Sequence, residues 1–208
     1  ILLVIVVLFF SACYNKPQQQ FISPYYSDKY FTPKYIFNLE HSSPKKPNSR
    51  IDKDNLIFED EKVLITFTVK HKYLAITILN KTNESIKLIW DDIIYVDYEG
   101  LSQGVIHNGT RYFDKDLPQK TTNIAPKSFI SDIIVPKNKV VYLYDKWFVR
   151  DLLSLYGKDD GTFNSITEKE SIERGSLFVN KKINIILPIQ IKNKIDEYHF
   201  NFLVKNFE

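Results

Sequence analysis

The chain has 208 residues, of which 44% are hydrophobic and 25% charged, and its formal net charge is +3. This composition is typical of a globular protein and excludes wholesale disorder. Residues 14–55 hold seven Lys and Arg against four Asp and Glu, whereas residues 56–208 hold 21 of each. The larger segment thus has no basic excess, which argues against nucleic-acid binding.

The N-terminus begins with an unbroken apolar run, ILLVIVVLFF, at residues 1–10. It is too short for a membrane-spanning helix of roughly 20 residues and has the length of a signal-peptide hydrophobic region, about 7 to 15 residues. Ser11, Ala12 and Cys13 follow, and Cys13 is the only cysteine. After Cys13 the sequence therefore excludes intramolecular disulfides, Cys-based zinc sites and thiol catalysis.

This segment resembles the lipobox of bacterial lipoproteins, with Phe10 in place of the usual leucine. The resemblance implies that residues 1–12 are cleaved as a signal and that Cys13 is lipidated, which anchors the chain to a lipid bilayer. Tyr14, by analogy with enterobacterial lipoproteins, favours the outer membrane over the inner. Because no Met or basic segment precedes the run, we expect the signal to be truncated. An ordinary secretory signal or the end of a membrane anchor is the alternative.

Residues 13–55 predict a tether after the signal. They contain five of the nine prolines and a Gln tract, which oppose regular structure. The part from residue 14 to 37 is nevertheless too aromatic for a solvated linker. We expect residues 21–37 to run along the domain in extended form, with a partner-binding peptide as the alternative. The aromatic residues are Tyr14, Phe21, Tyr25, Tyr26, Tyr30, Phe31, Tyr35 and Phe37.

Residues 56–208 predict one domain of about nine strands. Apolar residues alternate over residues 63–69, 74–78, 86–90 and 129–135, a period typical of half-buried strands. Further strands are predicted at 93–98 and 140–144, and Asn108-Gly109 predicts a two-residue hairpin turn leading into residues 110–112. Residues 183–191 and 198–204 predict a terminal hairpin.

A short helix is predicted after Asp145, the proposed N-cap. Phe148 and Leu152, and Val149 and Leu153, lie at helical spacing, and Gly157 stands where a C-terminal cap belongs. Thr167 and Glu170 form a capping box that predicts another turn or two of helix.

Many strands joined by short turns indicate an all-β fold. We expect an antiparallel two-sheet sandwich of immunoglobulin-like character, with a closed barrel as the alternative.

The densest polar group lies between Trp90 and Arg111. Its carboxylates suggest a calcium site or an acid/base pair, but their spacing does not match an EF-hand, and carboxylates at strand corners commonly cap turn amides. His107 precedes the Asn-Gly turn and is expected at a hairpin tip. We therefore assign no catalytic, metal or cofactor residue and keep six weak candidates for a polar site: Asp91, Asp92, Asp97, Glu99, His107 and Arg111.

Two functions follow from these patterns. The first is a membrane-anchored envelope lipoprotein whose domain is a non-catalytic interaction or structural module for an envelope protein partner. The second is an envelope glycan hydrolase that uses carboxylates in residues 91–99.

Overall fold

A computed structural model describes residues 34–43, 48–154 and 168–207. The predicted signal peptide and Cys13 lie outside the described residues, as do Gly157 and Thr167. No helix in the described part of the chain is long and apolar enough to cross a bilayer.

The described residues form fifteen strands and one α-helix, α1 (Glu168–Ser176). In chain order the strands are β1 (Tyr35–Ser43), β2 (Arg50–Asp52), β3 (Ile57–Glu59), β4 (Val63–Val69), β5 (Leu74–Asn80), β6 (Ile86–Leu88), β7 (Ile94–Val96), β8 (Ser102–Gln103), β9 (Val105–Ile106), β10 (Thr122–Ile124), β11 (Phe129–Pro136), β12 (Val140–Leu143), β13 (Lys146–Val149), β14 (Lys182–Ile191) and β15 (Lys194–Phe207).

These strands make two main antiparallel sheets. Sheet A has the order β1-β15-β14-β6-β10, with β7 pairing with β14 and β8 with β7. Sheet B has the order β2-β3-β4-β5-β11-β9, and β12 and β13 form a separate hairpin. The expectation of a mostly β, sandwich-like fold is confirmed at this level.

Alternating apolar residues decide which face of each strand is buried. In β4 the side chains of Val63, Ile65 and Phe67 are buried, as the period of two predicts. The terminal hairpin is also confirmed, because Ile185 pairs with Phe200 and both are fully buried.

Aromatic rings join the two sheets. Phe67 of sheet B lies with its ring centroid 4.8 Å from that of Phe200 and 5.0 Å from that of Phe202, both in sheet A. Phe58 lies 5.4 Å from Phe200. All these rings meet edge to face, a favoured geometry that adds about 0.5 to 1.5 kcal/mol per pair beyond simple burial. The inner faces of sheets A and B therefore share one core.

A proline shapes the edge of sheet A that carries the candidate residues. Strand β14 pairs with β6 through residues 189–191 and with β7 through residues 184–186, so β6 and β7 lie on the same side of β14. Between these pairings lies Pro188, whose carbonyl accepts from Ile89 N at 3.4 Å. Proline has no N–H to continue the ladder, and prolines in sheets are found at such interruptions. Opposite it the chain forms a 3-10 turn, Trp90–Asp92.

A buried carboxylate links the β3–β4 turn to sheet A. Asp60 Oδ1 accepts from the backbone N of Lys62 at 2.7 Å and of Val63 at 2.8 Å. The Tyr198 hydroxyl in β15 donates to Asp60 Oδ2 at 3.0 Å. Burial, and then the Asp60 charge, raise the pKa of Tyr198.

The predicted helix after Asp145 is wrong over the described residues. Residues 146–149 form β13 and pair with β12, with Val149 opposite Val140 and Trp147 opposite Tyr142. Tyr144 and Asp145 form the turn with φ of 48° and 58°. Two residues of positive φ match the twist of a two-residue hairpin, which outweighs the helical spacing. A short helix does follow, since α1 begins at Glu168.

Asn108-Gly109 does form a turn, since Thr110 N donates to the His107 carbonyl at 3.1 Å, but the predicted hairpin is wrong. Strand β9 pairs with β11, and the chain then enters a 3-10 turn, Tyr112–Asp114. Gly109 has a φ of 88°, but Asn108 is not in the left-handed region that this hairpin turn requires of both residues.

Strand β11 is confirmed, but its burial does not follow the predicted alternation of Phe129, Ser131, Ile133 and Val135. Phe129 is 65% exposed, whereas Ile134 lies in the main core. Val135 belongs to a second, smaller cluster beside β9.

The sheets begin earlier than the predicted boundary at residue 56. Strands β1 and β2 lie within residues 13–55, and β1 pairs with β15 from Tyr35 opposite Phe207 to Ser43 opposite His199. Leu39 of β1 is fully buried. The end of the predicted tether therefore belongs to the sandwich.

We predict that two buried tyrosines make stability fall at high pH. Burial, and then the Asp97 charge, raise the pKa of Tyr95, as burial and Asp60 do for Tyr198. Because the folded pKa values are raised, this stability is present below the unfolded value of about 10 and is lost as the pH rises above it. Tyr198→Phe and Tyr95→Phe should each flatten the alkaline loss of unfolding free energy, measured by urea denaturation.

At neutral pH the same two variants should differ in their free energy of unfolding. Tyr198→Phe removes a donor from buried Asp60 and should cost about 1 to 3 kcal/mol. Tyr95 has a buried hydroxyl with no partner among the described residues, so Tyr95→Phe should cost almost nothing. Equal neutral costs, or an unchanged alkaline slope in both variants, would contradict this assignment.

Candidate functional site

The Asp97 side chain binds backbone amides in the turn between β7 and β8. Its Oδ1 accepts from the backbone N of Glu99 at 3.0 Å and of Leu101 at 2.9 Å, and the residue is 8% exposed. Gly100 in this turn has a φ of 92°, which suits glycine. The Glu99 side chain is exposed. Asp97 therefore caps turn amides, as carboxylates at strand corners commonly do.

Asp91 binds the backbone of the loop between β9 and β10. It lies in the 3-10 turn opposite Pro188, and its two oxygens accept from Gln119 N at 3.1 and 3.0 Å. The side chain of Gln119 in turn donates to the Val105 carbonyl at 2.7 Å. Asp92 is exposed beside it.

One group of side chains, which we call the Trp–His–Asp cluster, consists of Trp90, His107 and Asp132. The rings of Trp90 and His107 stack with centroids 4.2 Å apart and an interplanar angle of 9°. His107 Nδ1 lies 3.2 Å from Asp132 Oδ2. Trp90 is fully buried, and its Nε1 donates to Thr122 Oγ1 at 2.8 Å. His107 thus lies against the core and not at an exposed hairpin tip.

Asp132 also binds backbone. Its Oδ1 accepts from Asn108 N at 2.9 Å and Ile133 N at 2.7 Å. Asp132 thereby extends the contact between the β9 segment and β11 beyond the last paired residues, Ile106 and Val135.

Arg111 is turned toward its own 3-10 turn. Its Nη2 lies 2.7 Å from Asp114 Oδ2, and its guanidinium lies 4.3 Å over the ring of Phe113. The Arg111 side chain is 57% exposed, so its ion pair with Asp114 is a surface interaction that contributes little to stability.

Four of the six sequence candidates, Asp91, Asp97, His107 and Arg111, have separate partners, and Asp92 and Glu99 are exposed. His107 is the candidate that has a charged partner from a distant segment, and sequence reasoning missed that partner, Asp132. The available signal was a carboxylate inside the apolar run 129–135, but it does not identify its partner 25 residues away. Gln119 and Thr122 were also missed.

Chemically, the cluster can orient an imidazole. A carboxylate beside Nδ1 favours the tautomer with the proton on that nitrogen. The stacked His107 ring covers one face of Trp90. No group of three or more His, Cys, Asp or Glu side chains suited to a metal ion occurs in residues 34–43, 48–154 and 168–207.

Comparison with protein-family models, with curated proteins and with solved structures found no match for this chain. The interpretation of the site depends on its geometry.

We predict that Asp132 is mainly a structural residue. Asp132→Ala removes the acceptor of two backbone amides and the partner of His107, so it should lower the free energy of unfolding by about 1 to 3 kcal/mol. The matched control is Ser131→Ala, whose exposed hydroxyl contacts Thr77 Oγ1 at 2.9 Å and should cost less than about 1 kcal/mol. Urea denaturation measures both, and equal costs would contradict the role of Asp132.

Proposed function

We propose that this protein is a bacterial envelope lipoprotein, attached to the outer membrane through acylated Cys13. Its β domain is an interaction or structural module for an envelope protein and performs no catalysis. We propose further that the sandwich is of immunoglobulin-like character. Sheet neighbours that are distant in sequence, such as β1 beside β15 and β5 beside β11, support that proposal.

The observation that supports the non-catalytic assignment is that the carboxylates accept hydrogen bonds from backbone amides. Asp91 binds the Gln119 amide, and Asp97 binds the amides of Glu99 and Leu101. A glycan hydrolase requires two carboxyl groups that flank one glycosidic bond, about 5 to 10 Å apart. Carboxylates bound to separate turns support a structural role over this chemistry.

The anchoring part of the proposal follows from the sequence. The apolar run at residues 1–10, the small residues Ser11 and Ala12, and Cys13 directly after them support cleavage and acylation. A diacylglyceryl group supplies two acyl chains, which anchor stably where one chain is marginal.

We predict that the mature chain begins at acylated Cys13. Mass spectrometry of the protein purified from bacterial envelopes should give an N-terminal peptide that starts at Cys13 and carries lipid mass. Cys13→Ser should lose that mass.

The matched control is Tyr14→Asp. It should keep the lipid but move from the outer to the inner membrane in an enterobacterial host. An unmodified Cys13, or cleavage at another bond, would contradict the proposal.

A further inference from the structure

The β12–β13 hairpin lies apart from the two main sheets. Among the described strands, β12 and β13 pair with each other alone. The end of the hairpin away from its turn is held by a small apolar cluster in which Val140 and Val149 pack with Ile106 and Val135. The turn residues Tyr144, Asp145 and Lys146 are exposed.

Aromatic side chains concentrate toward the turn. Tyr142 is 54% exposed and Tyr144 is 72% exposed. Trp147 lies directly across from Tyr142, with ring centroids 5.1 Å apart, and 6.3 Å from the ring of Tyr112. Tyrosine and tryptophan combine an apolar ring with a polar group, and they are enriched where a bilayer meets water.

The hairpin carries apolar side chains on both faces. Val140, Tyr142, Trp147 and Val149 share one face, because they occupy alternate, paired positions. The opposite face contains Val141, Leu143 and Phe148, all partly exposed. A two-stranded ribbon is marginally stable in water. Apolar residues on both of its faces therefore indicate that a further apolar surface covers the hairpin.

Basic residues flank the hairpin at both of its ends. The segment 137–150 contains Lys137, Lys139, Lys146 and Arg150 against one acid, Asp145. The turn with Lys70 and Lys72 lies near the end of the hairpin away from Tyr144, since Leu152 N donates to the His71 carbonyl at 2.7 Å and Tyr73 packs on the small cluster.

Residues 137–154 keep a basic excess in sequence when their acids are counted. Asp114 pairs with Arg111 and Asp116 with Lys115, so those residues add no net charge. Asp151 and Asp145 are the remaining acids of residues 140–154. Residues 56–208 are neutral in total, whereas residues 137–154 hold four basic residues against two acids.

We propose that the β12–β13 hairpin binds the interface of an anionic lipid bilayer, with Tyr142, Tyr144 and Trp147 at the level of the headgroups. The basic residues match the negative surface potential of such a bilayer. This contact goes beyond the proposed function and does not depend on acylation of Cys13. A glycan is the less suitable occupant, because the ring of Trp147 already packs against those of Tyr112 and Tyr142.

The fluorescence of Trp147 gives a local test. The chain has two tryptophans, and Trp90 is fully buried, so a change of emission on binding reports Trp147. We would titrate the full chain carrying Cys13→Ser with vesicles of phosphatidylglycerol, of phosphatidylcholine, and of phosphatidylglycerol with brominated acyl chains. A local measurement is necessary because the apolar run at residues 1–10 is a second route to vesicle binding.

We expect phosphatidylglycerol vesicles to shift the emission to shorter wavelength and the brominated lipid to quench it, with little change on phosphatidylcholine. Tyr144→Asn and Lys146→Glu should each raise the lipid concentration for half-binding about threefold or more. Asn tolerates the positive φ of residue 144, so the hairpin turn is kept. The matched control is Phe129→Asn on sheet B, which removes an equally exposed ring and should bind as the parent does.

Three results would overturn the proposal. The first is an absence of quenching of Trp147, even if the chain sediments with vesicles. The second is equal binding to neutral and anionic vesicles. The third is retention on envelope polysaccharide that Tyr144→Asn abolishes while its vesicle binding equals that of the parent, which would identify a glycan as the occupant.

Discussion

The contact of Phe58 and Phe67 with Phe200 and Phe202 holds the two sheets together, and the rest of the core depends on it. These rings fill the space between β3, β4 and β15, so the alternating residues of the neighbouring strands are removed from water on both inner faces. Asp60 and Tyr198 lie beside the rings and add a buried hydrogen bond between the sheets. Since an unpaired buried carboxylate is costly, this bond also restricts how the sheets can shift.

A second constraint, Pro188, shapes the region that first suggested a site. Because proline lacks the N–H needed by the ladder, β6 and β7 separate there and the chain forms the turn that contains Trp90 and Asp91. Trp90 is then covered by His107, and Asp91 holds the loop through Gln119. Trp90 and Asp91 thus help to close this edge of the sandwich.

Where the pattern is local, the sequence predicts this fold well. Strands β4, β5, β14 and β15 bury the residues that alternate in sequence, because one face of each sheet meets the core. The errors occur where two local patterns compete. Residues 145–153 have helical spacing, but residues 146–149 form a strand by pairing with β12. Asn108-Gly109 has a hairpin signal, but β9 finds its partner in β11. The His107–Asp132 contact depends on that same long-range pairing and so was beyond prediction. Acylation of Cys13 stays a prediction.

Cross-linking in intact cells tests the central claim, a non-catalytic domain that meets an envelope protein, most directly. We would attach the photoreactive group at Phe129, the exposed ring of sheet B, and identify adducts by mass spectrometry. The account predicts one envelope protein captured in equal yield by the parent and by a variant with Asp91→Asn and Asp97→Asn. Capture of envelope glycan instead, lost in that variant, would contradict it.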